Sequence, residues 1–219
     1  MKETVLAKKL VTHFENRKYT CFKEVSKTGT GGAIRCDCYF IKKEKDIILE
    51  TFVVEIKTSL SLKVIEQAYK WKAFTEKVYI GVPKPKKRPV KARKFAILVC
   101  KKLGVGMFEI SENGNVEMLV ESEINKSYKL PPLYEEQKKS KAGNNKSEYF
   151  TKFKKTLLNI ENYMKNKNEC NLSEMIKEVQ HHYSNNVSAQ GCITKYIKKG
   201  IIKNYRLKKK DKTIFIEKI

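Results

Sequence analysis

Two short stretches decide the fold of this chain: IRCDCYF at residues 34–40 and FVVEIK at residues 52–57. Both are rich in β-branched, aromatic and small apolar residues, which predicts two strands. Successive side chains of a strand point to opposite faces. Glu55 and Lys57 should therefore share one face of the second strand, while Phe52, Val54 and Ile56 occupy the other.

The first strand carries Asp37 between Cys36 and Cys38. We expect these cysteines to share the face opposite Asp37 and to pack in the core as small hydrophobic residues. A charge at the end of a buried strand is unfavourable by several kcal/mol unless it is paired or bound to a metal. Asp37, Glu55 and Lys57 are the groups needed to hydrolyse a phosphodiester, since carboxylates hold Mg²⁺ and a lysine orients water or stabilises charge.

The charge of the chain indicates a polyanionic partner. Its 219 residues include 47 Lys+Arg against 24 Asp+Glu, a net charge of +23, which favours nucleic acid. A membrane surface is the competing polyanion, but no apolar stretch of about 18 residues exists to span a bilayer. The N-terminal sequence lacks the apolar region of a secretion signal, and the six cysteines lack zinc-site spacing. We therefore expect a cytoplasmic, intracellular protein without a membrane partner.

The first half alternates helix and strand patterns. The patterns predict, in chain order, a helix at 2–16, a strand at 19–25, a glycine-rich turn at 27–32, the two strands described above, a helix at 61–76, a strand at 78–83, a helix from Pro89 to Leu103 and a hairpin of 105–110 with 116–120. In the helix that begins at Pro89, the apolar stripe comprises Ala92, Phe95, Ala96, Val99 and Leu103. This order predicts an α/β domain at residues 1–125, with a mixed sheet flanked by helices.

The composition shifts near residue 125, and a polar linker is predicted at 126–146. Residues 147–219 then show three helical segments and a hairpin with a basic tip, a pattern typical of a small winged-helix domain. Candidate phosphate contacts are Arg35, Lys195, Lys198, Lys199, Lys208, Lys209 and Lys210, and candidate base contacts are Asn186, Ser188 and Gln190. The lysine run could also be only a solvated hairpin tip.

Residues 1–121 resemble the PD-(D/E)XK nuclease superfamily, with its restriction-endonuclease-like fold. The resemblance rests on Asp37, on Glu55-Ile56-Lys57 and on the order of helices and strands, although Cys36 stands where the family has proline. It implies that Asp37, Glu55 and the carbonyl of Ile56 bind Mg²⁺ or Mn²⁺, and that Lys57 is catalytic.

The same resemblance implies two accessory residues. Glu3 on the first helix would join the metal site through water, although the helix dipole alone also favours an acid in the first turn. Gln67, four residues before Trp71, would be a further catalytic residue. The stretch from 78–83 through 103–108 is similar to a family of putative PD-(D/E)XK phosphodiesterases.

The sequence therefore predicts a Mg²⁺-dependent endodeoxyribonuclease whose tail docks duplex DNA. One alternative is a non-catalytic DNA-binding regulator on a nuclease-derived scaffold, with Asp37, Glu55 and Lys57 as a structural ion-pair network. Another is a branched-DNA resolvase. For a nuclease, the resemblance also allows a homodimer, because double-strand cutting by this fold usually needs two active sites.

Overall fold

The computed structural model describes residues 1–29, 32–86, 91–140, 142–143 and 150–219, which form two compact units, Met1–Phe150 and Thr151–Ile219. The described part of the first unit contains helices α1 (Glu3–Glu15), α2 (Leu62–Tyr69) and α3 (Lys91–Leu103). Its strands are β1 (Tyr19–Gly29), β2 (Gly32–Glu44), β3 (Ile47–Ile56), β4 (Lys77–Pro83), β5 (Gly106–Ile110) and β6 (Val116–Val120). Part of the predicted glycine-rich turn, Pro89 and part of the predicted linker lie outside the described residues.

The six strands form one sheet in the order of the sequence. Strands β1, β2 and β3 are antiparallel, β3, β4 and β5 are parallel, and β6 runs antiparallel to β5. The prediction of a mixed α/β domain, with a mixed sheet flanked by helices, is confirmed.

Each face of this sheet has its own hydrophobic core. The first core lies under α2 and α3 and contains Val53 of β3. The second core lies under α1 and contains Phe52, Val54 and Ile56. The alternation predicted for β3 is therefore confirmed for its apolar residues.

The helix predicted at 61–76 is shorter in the structure. Helix α2 ends at Tyr69, and a 3-10 turn follows at Lys72–Phe74. The Tyr39 hydroxyl donates to the Phe74 carbonyl at 2.8 Å, and the Glu76 N–H donates to Thr51 Oγ1 at 3.0 Å. Side chains of the sheet thus bind the backbone groups that a longer helix would use.

The apolar stripe predicted for α3 is wrong by about one residue. Phe95 is 58% exposed, and the buried residues of the helix are Ala96 and Cys100. Arg93 pairs with Glu109 of β5, and both side chains are largely buried. Arg93, Ala96 and Cys100 therefore lie on the packed side of the helix, and Phe95 does not.

The chain after β6 belongs to the first unit and differs from the predicted linker. Residues 131–143, of which residue 141 is not described, form what we call the wrapping segment. Leu133 packs against the first core, a 3-10 helix at Glu135–Lys139 lies along β1, and Ala142 belongs to the second core. Because β1 is an edge strand, the wrapping segment covers this edge, and the unit boundary falls after Phe150 rather than at 125.

The second unit contains α4 (Lys152–Tyr163), β7 (Glu169–Asn171), α5 (Leu172–Glu178), α6 (Asn186–Lys198), β8 (Tyr205–Lys210) and β9 (Thr213–Lys218). Its sheet has the order β7-β9-β8, and Ile160, Met175, Ile193 and Ile216 lie in its core. Strand β7 was not predicted. The second helix of this unit, α5, ends at Glu178, since Val179 already has an extended backbone.

Gly106→Ala should destabilise the first unit by about 1–3 kcal/mol through overpacking. A Cβ at this position would lie 2.2 Å from Cδ1 of Tyr79 and 2.9 Å from the backbone nitrogen of Ser122. Trp71 is the single tryptophan of the chain and is fully buried in the first unit, so urea unfolding followed by its fluorescence reports this change.

The control is Gly191→Ala in α6, where no described atom outside the neighbouring residues and the helix's own backbone lies within 4 Å of the new Cβ. This variant should leave the transition unchanged. An unchanged midpoint for Gly106→Ala would contradict the observed packing.

Candidate functional site

The site lies where β2 and β3 separate. Their ladder ends at the pair Cys38–Val54, while β3 continues along β4 as far as Ile56. At this point the Ile56 N–H donates to Oδ2 of Asp37 at 2.7 Å. The carboxylate thus replaces the backbone partner that β2 no longer provides.

Glu55 lies beside Asp37 and is only 3% exposed. Burial raises the pKa of Glu55 well above its usual range, and the negative charge of Asp37 and a hydrogen bond between the two carboxyl groups add to this effect. Burial also raises the pKa of Asp37, although Lys57 and the Ile56 N–H oppose the shift. Two acids in contact in a buried site favour either a shared proton or a bound cation.

The Glu55 carboxylate is incompletely satisfied by the protein. Its Oε1 is buried and has no hydrogen-bond partner among the residues that the structure describes. Most buried polar atoms have such a partner, and a shared proton or a bound cation would each satisfy this oxygen.

Lys57 extends from the end of β3 toward α1. Its N–H donates to the Gly81 carbonyl at 3.0 Å, and its Nζ lies 3.3 Å from Oε2 of Glu3. The positive charge of Lys57 also acts on both Asp37 and Glu55. The structure therefore brings four of the candidate site residues together, Glu3 among them.

The expectation that Cys36 and Cys38 share one face is wrong. Cys36 belongs to the first core, whereas Cys38 belongs to the second. Strict alternation would put them on the same side, so the side-chain pattern of β2 inverts at Asp37. Asp37 lies at this break in the pattern, and its carboxylate accepts from the Ile56 N–H.

A backbone irregularity lies opposite Asp37, at Glu24 of β1. Glu24 has a left-handed backbone with φ +56°, and the neighbouring pairs are Lys23–Cys38 and Val25–Cys36. Its side chain is 1% exposed and forms an ion pair with Arg35, with Nε of Arg35 3.1 Å from Oε2. The sequence analysis missed Glu24, although an acid two residues after Phe22 within a predicted strand could have drawn attention to it.

Gln67 lies on α2, which packs on the face of the first core. Its Oε1 is buried and has no hydrogen-bond partner within the described ranges. Among the contacts of the described residues, none joins Gln67 to Asp37, Glu55 or Lys57. The structure thus does not place Gln67 in direct contact with the acids.

The fit to a divalent cation rests on Asp37, Glu55 and the Ile56 carbonyl. Over the described parts of the chain, no three His, Cys, Asp or Glu side chains group in a way that could hold a metal. Mg²⁺ requires fewer, because it usually binds one or two carboxylates and keeps several waters. The adjacent carboxyl groups and the unpartnered Oε1 of Glu55 fit such an ion.

In the second unit, α6 presents Ser188, Lys195 and Lys198 to solvent, and Lys199 caps its C-terminus. Gln190 is half-buried, and Oδ1 of Asn186 contacts Nε2 of His181 at 3.0 Å. Lys208 and Lys209 of β8 are exposed, whereas Lys210 is paired with Glu169.

Comparisons with protein-family models, with curated proteins and with solved structures find no match for this chain.

Within the described residues, no helix is both long enough and apolar enough to cross a membrane.

Glu55→Gln should raise the melting temperature in EDTA at neutral pH by a few degrees, since about 1 kcal/mol corresponds to roughly 2–4 °C in a chain of this size. The pKa of Glu55 is raised in the folded state, so the wild type loses stability as the pH rises toward and through that folded pKa. The variant lacks this loss, and its amide can donate to Asp37. Its advantage should therefore shrink as the pH falls to the unfolded value of about 4.3 and vanish below it.

The control is Glu66→Gln on α2, where an exposed carboxylate pairs with Lys70. Thermal scans from acid to neutral pH should show no such gain for this variant. An advantage of Glu55→Gln that grew as the pH fell would contradict the raised pKa.

Proposed function

We propose that this protein is a Mg²⁺-dependent endodeoxyribonuclease with a restriction-endonuclease-like first unit and a winged-helix-like second unit. The observation that carries the proposal is the unpartnered Oε1 of Glu55 next to Asp37, with the Lys57 ammonium nearby. The net charge of +23 supports a nucleic-acid substrate.

Each residue of the site has a proposed role. Asp37 and Glu55, with the Ile56 carbonyl, would hold Mg²⁺ or Mn²⁺, which supplies a Lewis acid and lowers the pKa of a bound water. Lys57 would orient the attacking water and stabilise the negative charge that builds on the phosphoryl group. Because its ammonium is paired with Glu3, we assign Lys57 this electrostatic role rather than that of a base. Glu3 would hold Lys57 in place and join the site through water.

The arrangement of the first unit supports the fold assignment. A helix precedes an antiparallel β1–β2–β3 meander, and α2 then connects β3 to the parallel β4. The site lies at the point where β2 and β3 diverge. This order and this position agree with the resemblance to PD-(D/E)XK nucleases.

The second unit supports a role in docking duplex DNA. Its order of helix, short strand, two helices and a hairpin agrees with the pattern of a winged helix, in which α6 would be the helix that enters the major groove. Lys195 and Lys198 are one turn apart on the exposed side of α6, and Lys208 and Lys209 lie on the hairpin. Lysines at these positions suit phosphate contacts.

A second candidate function is a non-catalytic DNA-binding regulator. The lack of a recorded contact between Gln67 and the acids within the described residues favours this alternative, as does the lack there of a third side-chain ligand. In that case Asp37, Glu55 and Lys57 would stabilise the fold as an ion-pair network, and the second unit would carry the function.

Nicking of supercoiled plasmid by the full chain with Mg²⁺ tests the first proposal. Lys57→Ala should lower the rate by about 10²–10⁴-fold, because a positioned charge at the reacting phosphoryl group is lost. The matched control is Lys63→Ala on the exposed side of α2, which should cut like the wild type.

Mn²⁺ calorimetry on the same proteins separates chemistry from binding. Lys57→Ala should still bind Mn²⁺, while Asp37→Asn should not. Equal nicking by wild type and Lys57→Ala would refute catalysis at this site. If the wild type binds no Mn²⁺, or if Asp37→Asn binds it equally well, the regulator is favoured.

Lys195→Ala and Lys198→Ala should each weaken binding to short duplex DNA about equally for all sequences. Each should also lower the slope of log K against log salt by about one, because one phosphate contact is lost. Fluorescence anisotropy at several salt concentrations measures both quantities. Lys177→Ala on the exposed side of α5 is the control. An unchanged slope for both α6 variants would show that this helix does not contact the backbone of DNA.

A further inference from the structure

Glu24 is set apart by its backbone. Among the described non-glycine residues, positive φ angles occur at Lys18, Glu24, Lys45, Asp46 and Asp211. The other four lie in turns between elements, whereas Glu24 lies within β1. A left-handed conformation at a residue other than glycine is unfavourable by roughly 1–2 kcal/mol, and such residues are concentrated at functional sites.

The Glu24 carboxylate has a defined partner at each oxygen. The Gly143 N–H of the wrapping segment donates to Oε1 at 3.0 Å, and Nε of Arg35 lies 3.1 Å from Oε2. The first contact is a hydrogen bond that restrains the carboxylate, and the second is an ion pair with Arg35. Burial of Glu24 strengthens this pairing relative to one in water.

Arg35 is in turn tied to the acidic site. It precedes Asp37 by two residues on β2, and its positive charge acts on the Asp37 carboxylate. Its side chain is 37% exposed, so part of the guanidinium faces solvent beside the acids. A guanidinium that is held in one orientation is well suited to bind a phosphate, because less rotational freedom is lost on binding.

We propose that Glu24 is a positioning residue: it fixes Arg35 at the edge of the acidic site, where the guanidinium binds a backbone phosphate of the DNA strand. This inference rests on the proposed nuclease function and identifies a substrate contact of the same site. Gly143 takes part by fixing the orientation of the Glu24 carboxylate.

The proposal predicts that removing the Glu24 carboxylate changes the affinity for DNA in an unusual direction. Removing a carboxylate ordinarily strengthens the binding of DNA, since the protein becomes more positive. If Glu24 positions Arg35, however, Glu24→Gln should weaken binding although the net charge rises by one. The Gln side chain is as long as that of Glu, and its amide oxygen can still accept the hydrogen bond from the Gly143 N–H. The substitution therefore acts mainly on the ion pair with Arg35.

The experiment measures the affinity of the full chain for a short fluorescent duplex in EDTA, where no cleavage occurs. Glu24→Gln and Arg35→Gln should each weaken binding by about three- to tenfold, and the double variant should bind like Arg35→Gln alone. Glu66→Gln, which removes an exposed carboxylate from α2, should bind as tightly as the wild type or slightly more tightly. If Glu24→Gln does not fold, Glu24→Gly replaces it, because glycine keeps the left-handed backbone and removes the carboxylate.

Two results would overturn the proposal. One is an affinity of Glu24→Gln equal to or tighter than that of the wild type. The other is a double variant whose loss is the product of the two single losses, which would mean that Glu24 does not act through Arg35. If the wild type binds no DNA, the proposed function fails as well. If the wild type binds and nicks DNA while Glu24→Gln keeps full affinity, only this inference fails.

Discussion

The hydrogen bond from the Ile56 N–H to the Asp37 carboxylate is the contact on which the site depends. It lets β2 leave β3 without exposing an unpaired backbone donor, and it holds one acid beside the next. Since β3 stays paired with β4 as far as Ile56, the position of Glu55 is set by the sheet rather than by a loop. A site built on paired strands is held more rigidly than one built on loops, which suits groups that must act together.

The ionisable side chains around this contact include more acids than bases. Glu3, Glu24, Asp37 and Glu55 act on one another, and the nearby cations are Lys57 and Arg35. With all six groups ionised, two negative charges remain, in a region where Glu55 and Glu24 are buried. The protein can respond by keeping a proton on the acids or by recruiting a cation, and both responses follow from the same electrostatic imbalance.

The sequence predicts those features that follow from regular periodicity. The alternation along β3 is regular, so the shared placement of Phe52, Val54 and Ile56 on one face is confirmed. The break in the side-chain pattern at Asp37 was not predictable, because it lies opposite a left-handed glutamate on β1, and that conformation is usually taken by Gly, Asn or Asp. The pairing of Arg93 on α3 with Glu109 of β5 was not predictable either, because it is a contact between distant residues that local patterns do not reveal. The wrapping segment was predicted as a linker because its polar composition conceals Leu133 and Ala142 as anchors.

The wrapping segment also decides where the first unit can be separated from the second. A fragment ending at residue 125 would leave out the chain that covers β1, and it would uncover the backbone groups along that edge of the sheet. Open edges of this kind pair with other strands and promote aggregation. The same fragment would also lose the Gly143 contact with Glu24. A soluble isolated first unit therefore has to extend through Phe150, and the fragment suggested by composition alone would fail for reasons unrelated to catalysis.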